Sequence, residues 1–347
     1  QGKGPESPML LVIQIPCFNE EQTLPQTLVD LPRAIPGVDR VEILVIDDGS
    51  SDRTSEVARR FGAHHVIRNA TNRGLAASYA RGIEECLRLG ADIIVNTDGD
   101  NQYCGADIAK LVGPVVEGRA DIVIGDRQTA KIVHFSPVKR VLQRLGSLAG
   151  STLSGARIPD AVSGFRAISR EAALKSNIVS PFSYTIETVL QAGRKKLKIV
   201  SVPVATNAAT RESRLFTNIP SFIAKQLKTL ILIYVMYSPL RAFSAIGLTL
   251  GLIGLLPIAR FVWQFAQGDG AGHLQSLVLG GVLCVMSFIA FAAGLLADVV
   301  SRNRQLLEIT LEKVRRIELA QDGQGNAIEN TGDGDGSGTP VSLRARS

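Results

Sequence analysis

The sequence predicts an α/β domain with a mostly parallel, doubly wound sheet, followed by helices that enter a membrane. Two observations carry this. Short β-rich apolar runs alternate with helical stretches as far as about residue 210, the pattern of repeated βαβ units. Beyond that point the texture changes to long apolar segments with very few charges. The expected strands are 9–16 (MLLVIQIP), 41–46 (VEILVI), 93–97 (IIVNT), 122–125 (IVIG) and 198–204 (KIVSVPV). Their continuous apolar character fits a sheet covered on both faces. Helices are expected over 52–61 and 75–89.

These patterns divide the chain into a catalytic-type domain over 9–218, an amphipathic helix over 219–238, a hairpin over 239–300, a helix over 301–320 and a disordered tail over 321–347. Within 219–238, Ser221, Lys225, Lys228 and Thr229 share one helical face and the rest is apolar, the pattern of an interfacial helix with snorkelling lysines. Residues 242–259 and 274–297 carry no charge, and the short linker between them has only Arg260 and Asp269 charged. As helices they would reach about 27 and about 36 Å, comparable to a hydrocarbon core of about 30 Å. Basic residues lie outside the pair, at Lys225, Lys228 and Arg241 before it and Arg302, Arg304, Lys313, Arg315 and Arg316 after it. The positive-inside rule then places the main domain and both termini in the cytosol. The 301–320 helix carries Leu307, Leu311, Val314 and Ile317 on one side, to make homo-oligomer contacts or to pack on the main domain. The tail is rich in Gly, Asp and Asn.

Composition narrows the function. The chain is 45% hydrophobic, with 38 Lys and Arg against 32 Asp and Glu. That excess suits anionic phospholipid or nucleotide phosphate and is too small to point to nucleic acid. The four cysteines, Cys17, Cys86, Cys104 and Cys284, form no CxxC pair, which argues against a zinc or redox motif and fits a reducing compartment. The polar first residues show no signal-peptide pattern.

The chemistry gathers at strand ends. The first strand leads into Pro16-Cys17-Phe18-Asn19-Glu20-Glu21, with none of the GxGxxG glycines of a dinucleotide-binding turn. The second leads into Asp47-Asp48-Gly49-Ser50-Ser51-Asp52, where a carboxylate could accept from a base or a ribose hydroxyl, or serve only as turn and helix cap. The third leads into Asp98-Gly99-Asp100-Asn101-Gln102, a set of hard oxygens suited to Mg2+ or Mn2+ on a diphosphate.

In this order, PCFNEE, DDGSSDRT, NRGLAASYARG and TDGDNQ resemble the inverting glycosyltransferase family 2, with its GT-A fold. Gly125-Asp126-Arg127, the run from Asp160 to Arg166 and Arg211-Glu212-Ser213-Arg214 resemble the branch that makes dolichyl- and polyprenyl-phosphate sugars. The resemblance implies a nucleotide diphosphate sugar donor, UDP- in preference to GDP-, a polyprenyl phosphate acceptor and a Mg2+ or Mn2+ cofactor. It places Pro16, Asn19, Glu20, Asp47, Asp48, Arg73, Gly74 and Asp98 at the nucleotide, and Asp98, Asp100 and Gln102 at the metal. Arg127 and Arg140, with Arg144 competing for the second place, would bind the acceptor phosphate. Arg211, Ser213 and Arg214 would close over the diphosphate, although Glu212 and Arg214 depart from the usual Gly-x-Ser-Lys pattern. Asp160 is the implied base, or else a residue that holds the Ser163-Gly164-Phe165 loop.

Three rivals are weighed against this reading. A processive polysaccharide synthase would carry QxxRW, whereas the one tryptophan, Trp263, lies inside the hairpin. A glycolipid synthase would transfer to a lipid hydroxyl and need a general base. A non-catalytic membrane scaffold would have little reason to keep Asp98, Asp100 and Gln102 together.

Overall fold

The computed structural model describes residues 8–128, 158–178, 184–207, 234–236, 238–268 and 274–332, with side chains as far as 321. Seven strands form one sheet: β1 (Leu10–Cys17), β2 (Arg40–Asp47), β3 (His65–Arg68), β4 (Ile93–Asn96), β5 (Ile122–Asp126), β6 (Arg166–Ser169) and β7 (Ile199–Pro203). Their order is β3-β2-β1-β4-β6-β5-β7. Six strands run parallel; β6 alone is antiparallel, between β4 and β5. The five expected strands form, and β3 and β6 join them.

Alternation along β1 explains how both faces are buried. Leu11, Ile13 and Ile15 point into one apolar layer, under α1 (Leu24–Asp30), α2 (Thr54–Arg60) and α4 (Ile108–Val116). Leu10 and Val12 point into the other, under α3 (Leu75–Arg88), α5 (Arg170–Lys175) and α6 (Tyr184–Arg194). The chain moves outward from β1 through β2 to β3, then returns to the other side of β1 as β4. That reversal opens a crevice at the carboxyl ends of β1 and β4, where open α/β sheets hold their ligands.

Two helices follow, α7 (Pro239–Ala266) and α8 (Leu274–Gly332). Both contain segments long and apolar enough to cross a membrane, and little of those segments is buried within the protein. Leu256 and Phe288 are 70% and 74% exposed, a surface that needs apolar surroundings. The helices meet through small residues. A Cβ on Gly254 would lie 2.9 Å from Leu283 Cβ, one on Gly280 would lie 2.7 Å from the Gly254 carbonyl, and Ser287 Oγ donates to the Gly247 carbonyl at 2.7 Å. Gly280→Val is therefore expected to destabilise the hairpin by about 1–3 kcal/mol. Thermal unfolding in detergent measures this, with Gly281→Val, which meets nothing within 4 Å, as the comparison.

α8 differs from the expected organisation. It is one unbroken helix from Leu274 to Gly332, with no break near 300 and with the start of the tail expected to be disordered still helical. Ion pairs between Arg302 and Asp298, and between Arg304 and Glu308, span the turns where the break was expected. Its charged half packs on the main domain. Arg304 reaches the buried Glu187 at 3.3 Å, Lys195 reaches Glu308 at 3.7 Å, and Arg316 meets Glu171 at 2.8 Å. Arg315 donates to the carbonyl of Ser176 at 3.1 Å, near the end of α5, and Leu319 joins the α3 side of the core. Of the 219–238 helix, 234–236 is helical and the segment before it lies outside the described residues.

Candidate active site

A cleft of about 350 Å3 opens at the crevice between β1 and β4. Pro16, Cys17, Phe18 and Glu20 line it from the end of β1, Asp98, Gly99 and Asp100 from the end of β4, and Asp48 from the end of β2. Asn72, Gly74, Leu75 and Ser78 close it at the start of α3. Of the residues expected at the nucleotide, Pro16, Glu20, Asp48, Gly74 and Asp98 thus come together on one cavity.

Three others hold the walls. Asp47 is fully buried and turned away: it accepts from the Ser50 N–H at 2.8 Å and from the Ser55 hydroxyl, so it fixes its own turn. Asn19 Oδ1 accepts from the Ser51 N–H at 2.8 Å and ties the β1 and β2 loops together. Arg73 acts through its backbone, whose N–H donates to Asp48 at 2.9 Å. Asp48 also accepts from the Gly74 N–H at 2.8 Å and from Asn69 Nδ2 at 2.7 Å. Of the Asp-Asp pair, Asp47 fixes its own turn, while Asp48 both ties the start of α3 and lines the cavity.

Asp98 and Asp100 face the floor of the cleft. Burial, and after it the negative charges of Asp100 and Glu20, push the Asp98 carboxyl up to about 7, with Arg127 opposing. Two neighbouring carboxylates, one of them with its proton affinity raised by burial and by the other's charge, are a donor set suited to a hard divalent cation. Among the described residues no group of three or more His, Cys, Asp or Glu side chains is arranged for a metal. Asp98 and Asp100 could therefore hold Mg2+ or Mn2+ only with oxygens added by a diphosphate or water, which is the way Mg2+ is usually bound. Gln102, the third residue expected at the metal, is not among the residues that line the cleft and lies against Asp100. Its Nε2 donates to Asp100 Oδ2 at 2.8 Å, so the amide orients that carboxylate.

Arg127 and Asp160 form a bidentate pair. Arg127 Nε donates to Asp160 Oδ2 at 2.7 Å and a terminal nitrogen donates to Oδ1 at 3.0 Å, with Asp160 1% exposed. Both oxygens of the implied base are thus engaged by the arginine expected to read the acceptor phosphate. Asp160 also accepts the Ser163 N–H through its carbonyl, at 3.2 Å. The loop it belongs to is held from below by Arg166, which is fully buried and donates at 2.7 Å to each of the carbonyls of Ala161, Ser163 and Thr185. Asn96 Nδ2 donates to the Gly164 carbonyl at 2.8 Å. A Cβ on Gly164 would lie 2.7 Å from Tyr184 Oη and 3.4 Å from Asp98 Oδ1, so glycine allows this loop to lie against Asp98. Arg140, Arg144, Arg211, Ser213 and Arg214 lie outside the described residues.

Sequence reasoning did not single out Cys17, Asn72, Leu75 or Ser78 as lining residues, nor Arg166 as the support of the loop. Burial, and then Glu20, Asp47, Asp98 and Asp100, push the Cys17 thiol well above its usual range, so it stays protonated and is a wall rather than a nucleophile.

Known proteins resemble this chain in sequence. The model of the family described as Glycosyl transferase family 2 matches residues 12–175. An uncharacterized protein of Methanocaldococcus jannaschii is 33% identical over 56% of this chain and 81% of its own length. The chain belongs to glycosyl transferase family 2. It is a glycosyltransferase, and its sheet, with β6 reversed among parallel strands, is the GT-A fold. Glycosyltransferase AglJ of Haloferax volcanii is 26% identical over 90% of this glycosyltransferase and 98% of its own length, so the likeness extends into the hairpin. Undecaprenyl-phosphate mannosyltransferase of Micrococcus luteus is 29% identical over 56% of the chain and 81% of its own length. Among solved structures, glucosyl-3-phosphoglycerate synthase of Mycobacterium tuberculosis, with Mn2+, UDP and product, aligns over 66% of the chain and 79% of its own, at a TM-score of 0.48 and 21% identity.

Proposed function

We propose that this glycosyltransferase moves a sugar from a nucleotide diphosphate sugar to a polyprenyl phosphate, with inversion at the anomeric carbon and with Mg2+ or Mn2+ bound. UDP-sugars are preferred to GDP-sugars as donors. The reaction takes place on the cytosolic face of a membrane, to which the hairpin of α7 and α8 anchors the enzyme. The observation that carries the reading is the convergence of Asp48, Asp98 and Asp100 on one cleft with the buried Arg127–Asp160 pair beside it. The name of the Micrococcus luteus relative, an undecaprenyl-phosphate mannosyltransferase, supports the choice of acceptor.

Asp48 and the start of α3 bind the nucleoside, and the loop after β4 takes the diphosphate. Asp98 and Asp100 would hold a divalent cation, which would supply charge neutralisation for the departing nucleoside diphosphate. Gln102 keeps Asp100 aimed at that position. Arg127, fixed in direction by Asp160, orients the acceptor phosphate toward the anomeric carbon. A phosphate monoester already carries roughly −1.5 to −2 charge near neutral pH. It attacks without first losing a proton, so Asp160 is free to serve as the partner that positions Arg127. The apolar hairpin keeps enzyme and lipid acceptor in one plane, which raises their effective concentration.

The test is transfer of label from a panel of UDP- and GDP-sugars to polyprenyl phosphate in the presence of Mn2+ or Mg2+. The expected result is one labelled, acid-labile lipid from a single donor. A labelled diacylglycerol or ceramide would replace the phosphate acceptor by a hydroxyl. No product from any donor, with folded protein, would favour a scaffold that has kept the fold.

A further inference from the structure

The loop that carries Asp98 and Asp100 has an unusual shape, and its shape has identifiable supports. Asn101 takes a left-handed conformation, with φ of 55°. On one side α1 holds the loop: Thr27 Oγ1 donates to the Gly99 carbonyl at 3.0 Å, and Asn101 Nδ2 donates to Asp30 at 2.9 Å. On the other side the support comes from one residue a hundred positions away. Asn207 donates its backbone N–H to the Gln102 carbonyl at 2.9 Å. Its side-chain Nδ2 donates to the Asn101 carbonyl at 3.0 Å and to the Tyr103 carbonyl at 3.4 Å. Asn207 therefore holds three consecutive carbonyls of the loop, one through its backbone and two through its side chain.

The same short segment repeats the attachment. Thr206 forms an antiparallel bridge with Tyr103, and the Ala205 N–H donates to Asp107 at 2.6 Å. From Gln102 the connection passes directly to the cleft, because its amide donates to Asp100 Oδ2. A primary amide suits this position. It has two N–H donors on one nitrogen and can span two carbonyls, which a hydroxyl with its single donor cannot do.

We propose that Asn207 is a positioning residue for the divalent cation and diphosphate: its side-chain amide holds the carbonyls on either side of Gln102, and so fixes the backbone there and the direction of the Asp100 carboxylate. The inference rests on the proposed function and deepens it, by assigning the grip on the cation partly to a residue that touches neither cation nor sugar. Asn207 is exposed, so substituting its side chain lets water take over the Asn101 and Tyr103 carbonyls, keeps the backbone bond to Gln102 and leaves the core packing intact. Its effect is concentrated on cation affinity, as for other partners that orient metal ligands.

The test uses the full chain in detergent, with Asn207→Ala and Asn207→Leu beside the parent. Mn2+ is titrated in the presence of UDP and followed by the loss of the free-ion electron paramagnetic resonance signal. UDP binding is measured separately in EDTA, and amide exchange over 99–103 is measured without metal. The expected result is Mn2+ affinity lower by about 10-fold in both variants, UDP binding in EDTA unchanged, and faster exchange confined to the loop. In transfer assays the variants need more Mn2+ for half-maximal rate but approach the parent rate at saturation. Mn2+ titrations that match the parent would overturn the role of Asn207 and leave the proposed function standing. Equal losses of UDP and Mn2+ binding would show general disruption and would also overturn it. A parent chain that binds no Mn2+ with UDP would remove the proposed function and this inference together.

Discussion

Asp100→Ala is expected to lower the rate of sugar transfer about 1,000-fold, equivalent to about 4 kcal/mol of transition-state stabilisation. Asp100 lines the cleft and has its carboxylate oriented by the Gln102 side chain, so its loss removes a ligand from the place where charge grows on the leaving diphosphate. Asp98 cannot compensate. It keeps its buried position, and without the charge of Asp100 nearby one of the causes that raise its proton affinity disappears, while a single carboxylate is left to hold a divalent cation. Fold and nucleoside binding should persist, because Asp48 and the start of α3 are untouched. Initial rates at saturating donor, with thermal unfolding on the same preparations, check the prediction. A loss of less than tenfold at saturating Mn2+ would exclude the role given to Asp100.

Arg127→Met is expected to destabilise the domain by about 3–5 kcal/mol as well as to abolish acceptor use. The reason is the partner left behind. Asp160 is 1% exposed and its two carboxylate oxygens accept from Arg127, so the substitution strands a charge away from water. The double variant Arg127→Met with Asp160→Leu removes both charges and should regain much of the lost stability while remaining inactive. Denaturant unfolding of the two single variants and the double variant provides the coupling energy. Additive effects would mean that the pair contributes nothing as a pair. Recovery of transfer in the double variant would mean that Arg127 does not read the acceptor.

The parts of this architecture that were legible in the sequence are those in which a local pattern carries the information. β1, β2, β4, β5 and β7 are apolar runs between turn residues, and they form. β6 reads Arg-Ala-Ile-Ser and β3 reads His-Val-Ile-Arg, and both are only four residues long. The arginine of β6 is fully buried because it donates to two carbonyls of a loop and one at the start of α6, a circumstance no periodicity can announce. At the site, the strand-end carboxylates Asp48, Asp98 and Asp100 line one cavity, yet the sequence could not tell Asp47 and Asp48 apart. They are neighbours whose side chains leave the chain in different directions, and only the assembled turn decides which one meets the cavity. Arg127 and Asp160 are 33 positions apart and Gln102 and Asn207 are 105 apart, so their contacts exist only once β6 and β7 have taken their places in the sheet.

α8 has one more property, visible when its contacts are read along its length. Gly280, Leu283, Ser287, Phe291 and Gly294 touch α7, and the same stripe continues through Ser301, Arg304, Glu308, Arg315 and Leu319 onto residue 236 and the catalytic domain. The steps are three, four or seven residues, one turn or two, the intervals at which one side of a helix returns to face the same way. A rod gripped along a single line at both ends resists torsion. If the hairpin turns in the lipid, the catalytic domain must turn with it, and the opening of the cleft keeps a fixed bearing relative to the apolar side of α7. The helix acts as a drive shaft with two keyed ends, and the heading of the active site is set by the same line of residues that closes the hairpin.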